Sequence, residues 1–367
     1  MDLQVDRNLL LVPLQAVSGV VERRHTLPIL SNVLLEIGAG KLSLTATDLE
    51  IQVASQAESL EATQAQATTV SARKLQDILR SLPDAMIISL QLQDKRLQLK
   101  AGKSKFSLQT LPAQDFPKIA SAGGTPAEIQ LPQKELKRVL ALVQYAMAQQ
   151  DIRYYLNGLL FSLREDALVV VATDGHRLAL ASLAINLGAA RTEVILPRKA
   201  ILELTKLLED NDEPVSLKVL ENQVSFGFGR ISFITKVVDG KFPDFQKVVP
   251  TGYKKRFVLD RVTLQQALQR AAILSNEKFR GVRWVLTNNS LRIICTNSDQ
   301  EEAEEELEIS YAGDALDVGF NVSYLLDVLA NVQAPEVECA LGDSNSSMLM
   351  TIPGNADFKY VVMPMRI

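Results

Sequence analysis

One local pattern occurs three times in this chain at a long interval. It stands at Thr45-Ala46-Thr47-Asp48-Leu49-Glu50, at Val171-Ala172-Thr173-Asp174-Gly175-His176-Arg177-Leu178 and at Cys295-Thr296-Asn297-Ser298-Asp299-Gln300. A pattern that returns at a fixed long period marks one structural unit used repeatedly. A second pattern keeps the same offset: residues 69–79, 194–204 and 318–328 each run from a β-type segment into an amphipathic helical one, with Arg73-Lys74 and Arg198-Lys199 at the helix start in two of them. Two patterns in step exclude most one-core folds. Three unrelated domains sharing turn chemistry is the alternative, and it has to produce both matches by accident.

The spacing predicts α+β architecture, with three tandem copies of one domain of about 120 residues, each holding two helices over antiparallel strands. In each first half a short strand precedes a helix and two strands. Residues 3–5, 128–131 and 257–259 are the opening strands, and Leu136, Val139, Leu140 and Val143 have the 3-4-3 spacing of a helix's apolar face. Small and polar residues at 121–126 and 250–253 mark the linkers, giving domains 1–124, 125–251 and 252–367. At 367 residues the chain exceeds what one core usually holds.

Composition narrows the function. The chain is 47% hydrophobic and 22% charged with a net charge of −4, as for a globular protein and without the overall basicity of a simple nucleic-acid binder. Cys295 and Cys339 sit in apolar alternating runs with no metal-ligand spacing, so they read as buried free thiols in a reducing compartment. The first residues lack the basic start of a signal peptide, and no apolar run reaches membrane-span length, so a cytoplasmic location and no membrane contact are expected.

Asp174 beside His176 invites a general-base reading, hence a hydrolase or transferase. The chain has two histidines, no nucleophile elbow, no Gly-Lys phosphate loop and no carboxylate-histidine metal spacing, so no catalytic set assembles and neither cofactor nor metal is expected. The first copy keeps Thr-Asp but has Leu49-Glu50 for Gly175-His176, which favours a structural turn whose aspartate bonds to the backbone. Gly175 then reads as a backbone geometry or close approach that Leu49 does not need. A repeat scaffold that binds proteins but not DNA is a further alternative.

With the repeat established, the whole chain resembles the bacterial DNA polymerase III beta subunit family of sliding clamps. The resemblance is carried by Thr26-Leu27-Pro28-Ile29-Leu30, Phe106-Ser107-Leu108, Asp115-Phe116-Pro117, Arg153-Tyr154-Tyr155-Leu156-Asn157-Gly158, Thr173-Asp174-Gly175-His176-Arg177-Leu178, Phe242-Pro243-Asp244, Glu277-Lys278-Phe279-Arg280-Gly281-Val282-Arg283 and Tyr360-Val361-Val362-Met363-Pro364-Met365-Arg366. It implies a homodimeric ring lined by helices, without enzymatic chemistry, that encircles double-stranded DNA regardless of sequence. The implied partners are the replicative DNA polymerase, the clamp loader and other proteins with clamp-binding motifs.

The residues fit those roles in different ways. Cations cluster on elements that would face the hole, including Arg23, Arg24, Arg73, Lys74, Lys134, Lys137, Arg138, Arg198, Lys199, Lys278, Arg280 and Arg283. A net acidic chain can thereby present a positive lining. The resemblance carries Arg24, Arg73, Gln150, Tyr154 and Tyr155 over as DNA contacts. Simple solvation of the cations and core packing of the two tyrosines remain open alternatives.

For a peptide groove the resemblance implies apolar walls of Leu156, Leu178, Pro243, Val248, Val361, Val362, Met363 and Met365. His176, Arg177, Lys247, Ser347 and Arg366 make its polar rim, with Thr173, Gly175 and Pro364 alongside. An ordinary terminal strand is the plain alternative for Val361 and Val362. For head-to-tail closure the regions are Arg96, Lys103 and Lys105 around Phe106 and Leu108, against Ile273, Leu274 and the acidic run with Glu301, Glu302 and Glu305. That run reads equally as a charged edge strand that prevents aggregation.

Overall fold

The computed structural model describes residues 2–22, 27–38, 40–58, 65–120, 127–186 and 192–366. Within them a single unit, strand-helix-strand-strand-strand, occurs six times. The first is Asp2–Asp6, helix α1 (Arg7–Ser18), Asn32–Gly38, Lys41–Thr47 and Ile51–Glu58. The second is Gln66–Ser71, α2 (Ala72–Ser81), Ile87–Gln93, Arg96–Ala101 and Ser104–Leu111. The middle third repeats this around α3 (Gln133–Val143) and α4 (Arg198–Leu207), and the last third around α5 (Arg261–Ala271) and α6 (Val322–Asn331).

Three strands follow each helix, where the sequence reading placed two in the first halves. The missed ones are Ile51–Glu58, Arg177–Ala184 and Glu302–Glu308, and each begins just after the recurring polar turn. The turn is therefore a hairpin connection: Thr47 pairs with Gln52, Thr173 with Leu178 and Thr296 with Glu302.

Where the last residue of the preceding strand carries a side-chain oxygen, that oxygen caps the helix and fixes its start. Asp6 accepts from Asn8 N at 2.8 Å, Asp260 from Thr263 N at 2.7 Å and Asn321 from Ser323 N at 2.9 Å. Each described face then buries a periodic apolar set, as with Leu264, Ala267, Leu268 and Ala271 on α5.

Chain contacts divide the protein into two compact units, residues 1–134 with 202–237, and residues 135–201 with 238–367. The division runs through the middle third because its strands pair outward on both sides. Ile51–Glu58 pairs with Ile231–Lys236 in the first unit, completing a 12-stranded antiparallel sheet. In the second, Arg177–Ala184 pairs with Asn355–Val362 within an 8-stranded sheet, beside a 4-stranded one.

Both cysteines are buried, and burial raises the Cys295 thiol to about 11 and the Cys339 thiol to about 12. No helix among the described residues is long and apolar enough to cross a membrane.

Candidate functional site

The turn at 173–177 is built by its own side chains. Thr173 Oγ1 donates to Arg177 O at 2.6 Å and accepts from Gly175 N at 3.0 Å, while Asp174 Oδ1 accepts from His176 N at 2.9 Å and Arg177 N at 3.1 Å. This bears out the structural reading of Asp174. The first copy repeats every bond with Thr47, Asp48, Leu49, Glu50 and Ile51.

Of the two readings of Gly175, backbone geometry fails and close approach holds. Its φ is +89°, but Leu49 adopts +78° at the same place, so both copies use the left-handed region. Close approach is what distinguishes the glycine. A Cβ at 175 would lie 3.0 Å from Arg153 Nη2. Arg153 is held there by Asp151, with Nε to Oδ1 at 3.0 Å and Nη2 to Oδ2 at 2.8 Å. The hydrogen bond from the Arg153 side chain lowers the Asp151 carboxyl to about 2.

Arg177, expected on the rim, is buried, with 9% of its surface exposed. Its Nε donates to Asp174 Oδ2 at 3.1 Å, Nη1 to Asp327 Oδ2 at 2.6 Å and Nη2 to Tyr145 O at 2.7 Å. The guanidinium carbon lies 4.4 Å from the ring centre of Tyr324 and 5.6 Å from that of Tyr145. Burial opposes its charge, yet Tyr360, Asp327 and Asp174 outweigh burial and raise its pKa. Arg177 joins the turn to α6, and its donors are used internally. Nothing local connects Asp327 and Tyr324 to residue 177, so in sequence they read only as part of a repeated helix.

The C-terminal strand lies directly against this turn. Arg177 pairs with Val362 and Leu178 with Val361; Met363 N then donates to His176 O at 2.9 Å, and Met365 N to Gly319 O at 2.8 Å. Leu178 and Val361 belong to a buried cluster with Leu160, Val169, Val171, Ile195, Phe242 and Phe245. Leu156, Thr173 and Val362 are also buried, so they form a base rather than a wall.

Above that base the surface is open at Gly175, His176, Pro243, Lys247, Val248, Met363 and Arg366, and half-open at Ser347, Pro364 and Met365. Val248 and Met363 are 44% and 49% exposed, unusual for apolar side chains beside a core. Lys247 lies 3.0 Å from Asp244. Phe242 and Phe245 also belong to this base, and the sequence signal for them is their spacing of three within Phe242-Pro243-Asp244-Phe245.

The residues read as DNA contacts separate. Arg24 lies outside the described residues. Arg73, in the first turn of α2, has a 75% exposed side chain with Nε 3.7 Å from Asp77. Gln150 is exposed with φ +57°, and Tyr154 is 59% exposed. Tyr155 is half-buried and packs on the groove cluster, as its core alternative required. Arg198 is half-buried and donates to Met147 O at 3.1 Å, so part of its guanidinium is spent inside the protein.

The residues read as closure surfaces lie on or beside two exposed strand edges. In the first unit, Ser104–Leu111 carries Lys105, Phe106 and Leu108, with Lys103 in the preceding turn and Arg96 on the neighbouring strand. It pairs fully with Arg96–Ala101 but touches Gln66–Ser71 only through Leu111 and Thr110, leaving its start unpaired on one side among the described residues. Phe106 is half-buried and Leu108 buried. In the second unit, Glu302–Glu308 is an outer strand of the 4-stranded sheet, a position that both readings of the acidic run require. Ile273 nearby is 78% exposed and Leu274 half-buried. Glu301 and Glu302 are exposed, whereas Glu305 is engaged by Arg270 Nε at 2.8 Å.

A threefold α+β repeat, with exposed apolar side chains beside its C-terminal strand, is the architecture of a clamp-type protein. Models of the DNA polymerase III beta subunit match the chain as N-terminal domain over residues 1–120, central domain over 130–244 and C-terminal domain over 246–366. Relatives named beta sliding clamp are 48% identical in Pseudomonas putida and 45% in Escherichia coli, each over 100% of both chains. Among solved structures, a Pseudomonas aeruginosa sliding clamp bound to griselimycin matches with TM-score 0.97 at 47% identity, covering 100% of both chains. A DNA polymerase III beta subunit from Caulobacter crescentus matches with TM-score 0.93 at 38% identity, again over 100% of both. The chain belongs to the DNA polymerase III beta subunit family, the beta sliding clamps, and is a processivity clamp for a DNA polymerase.

Proposed function

We propose that two copies close head to tail into a ring that encircles double-stranded DNA in the cytoplasm, and that the surface around Val248, His176 and Met363 binds short peptide segments of its partners. Those partners are the replicative polymerase, the clamp loader and other proteins with clamp-binding motifs. The ring consists of domains 1–124, 125–251 and 252–367, each present twice, and performs no chemistry itself. Closure joins the exposed edge of Ser104–Leu111, flanked by Arg96, Lys103 and Lys105, to the acidic edge of Glu302–Glu308. Exposed Arg73, Gln150 and Tyr154, with Arg24, supply weak, sequence-independent DNA contacts suited to sliding.

The observation that carries the peptide reading is the exposure of Val248 and Met363 beside the buried Leu178–Val361 cluster. Methionines suit a surface that accepts several ligands, because the thioether chain repacks easily. Deleting residues 363–367 should abolish binding of a clamp-binding-motif peptide while the protein stays dimeric in ultracentrifugation. Undiminished affinity would exclude this site. Ring closure is tested separately: protein loaded on closed circles should persist there and run off linear duplex.

A further inference from the structure

The first compact unit holds an apolar cleft that the groove does not account for. Helix α1 carries no charge after Arg7, and Arg7 is buried with Nε donating to Leu79 O at 2.7 Å. Leu10, Leu11, Leu14 and Val17 fill the core beneath the helix. A helix covered on one side should be polar on the other. Here Leu9, Val12, Pro13 and Ala16, at the spacing of a second stripe, line an open recess instead, and Val12 is 62% exposed.

Opposite that stripe stand Phe228, Ile231 and Leu207, with Ala57 at the base; together they enclose a cleft of about 510 Å³. That size falls within the range of ligand-binding recesses. The charged side chains around it are Asp6, Glu209 and Glu213 against a single cation, Arg230. Arg230 is itself 3.7 Å from Glu58. An excess of carboxylates at a low-dielectric wall repels DNA phosphate and attracts a cation.

We propose that this cleft docks a short segment of a partner protein in which an aliphatic side chain stands next to lysine or arginine. The aliphatic group lies against Val12, Pro13 and Ile231, and the cation faces Glu209 and Glu213. Beside the C-terminal strand, by contrast, the exposed Lys247 is paired with Asp244, and Arg366 is exposed as well. The assignment does not depend on the groove being a peptide site.

The test uses the full-length protein with labelled valine and leucine methyl groups and a defined probe, acetyl-Leu-Lys-Leu-Leu-Lys-amide, alongside the same peptide with glutamate for lysine. The lysine peptide should shift the methyl signals of Leu9, Val12 and Leu207 saturably, leave Leu178 and Val361 unmoved, and bind more weakly as salt rises. The pair Glu209→Gln and Glu213→Gln should weaken binding roughly threefold to fivefold without lowering the thermal midpoint. Val12→Gln, at an exposed position, should abolish it. No shift at Val12 with about 1 mM peptide, a range that still detects millimolar affinity, would overturn the proposal. So would equal binding of the glutamate peptide, or indifference to the glutamine replacements.

Discussion

The turns at 47–51 and 173–177 are made of the same hydrogen bonds and put to different uses. In the first, the residue after the turn is Ile51, buried in an ordinary core. In the second it is Arg177, buried to a similar degree but inside a cage of two aspartates and two tyrosine rings. Leu49 and Gly175 share a left-handed backbone, and at Gly175 a guanidinium lies over it. A backbone motif held by Thr and Asp is thus a neutral frame. What flanks it decides whether the residue behind the turn packs in an apolar core or sits in a charged cage.

The comparison breaks most sharply at Arg177. Arg177→Ile installs the first copy's residue and leaves Asp174 and Asp327 without their cation. It should cost about 3 kcal/mol in chemical denaturation, since removing one partner of a buried pair strands the other. A change below about 1 kcal/mol would mean that the cage is dispensable and the two turns are equivalent. Gly175→Ala should cost about 1–2 kcal/mol from the left-handed backbone and the crowding of Arg153. Leu49→Gly should move stability by less than about 1 kcal/mol, because relief of strain offsets the freedom glycine adds to the unfolded chain.

Smaller effects test the shared frame. Thr47→Val and Thr173→Val should each cost about 1 kcal/mol, and a marked difference between them would mean that the networks are not equivalent. The Asp151 carboxyl, followed by carbon NMR, should titrate near 2 because Arg153 holds it charged. Its folded value is depressed, so the stabilising contact is complete above the unfolded value of about 3.9 and fades as pH falls toward the folded one. A midpoint near four would show that Arg153 is not fixed over Gly175.

Much of this was legible in the chain. The Thr-Asp repeat and the helix starts are local, and the bonds of the turn involve residues within four positions of one another, so residue type and spacing suffice to anticipate them. The third strand of each first half is legible too, in the alternation of Ile51–Glu58, although the polar turn before it reads as an end until its hairpin pairing is seen. Arg177 was misplaced for a different reason. An arginine after histidine in a polar knot reads as solvated unless its partners are known, and Asp327 stands 150 positions away. Tyr155 and Tyr154 look alike in sequence, yet one packs on the groove cluster and the other is exposed.

The sequence by itself determined the repeat, the elements within each copy and the absence of a recognisable catalytic set, because propensity, capping and periodicity act over a few residues. Tertiary structure alone decided which repeats share a sheet, and which strand edges stay unpaired. It also decided that the last strand lies beside the middle copy's turn. Those outcomes depend on side chains meeting across more than a hundred positions, where burial and charge pairing are set by the folded neighbourhood and not by the order of residues.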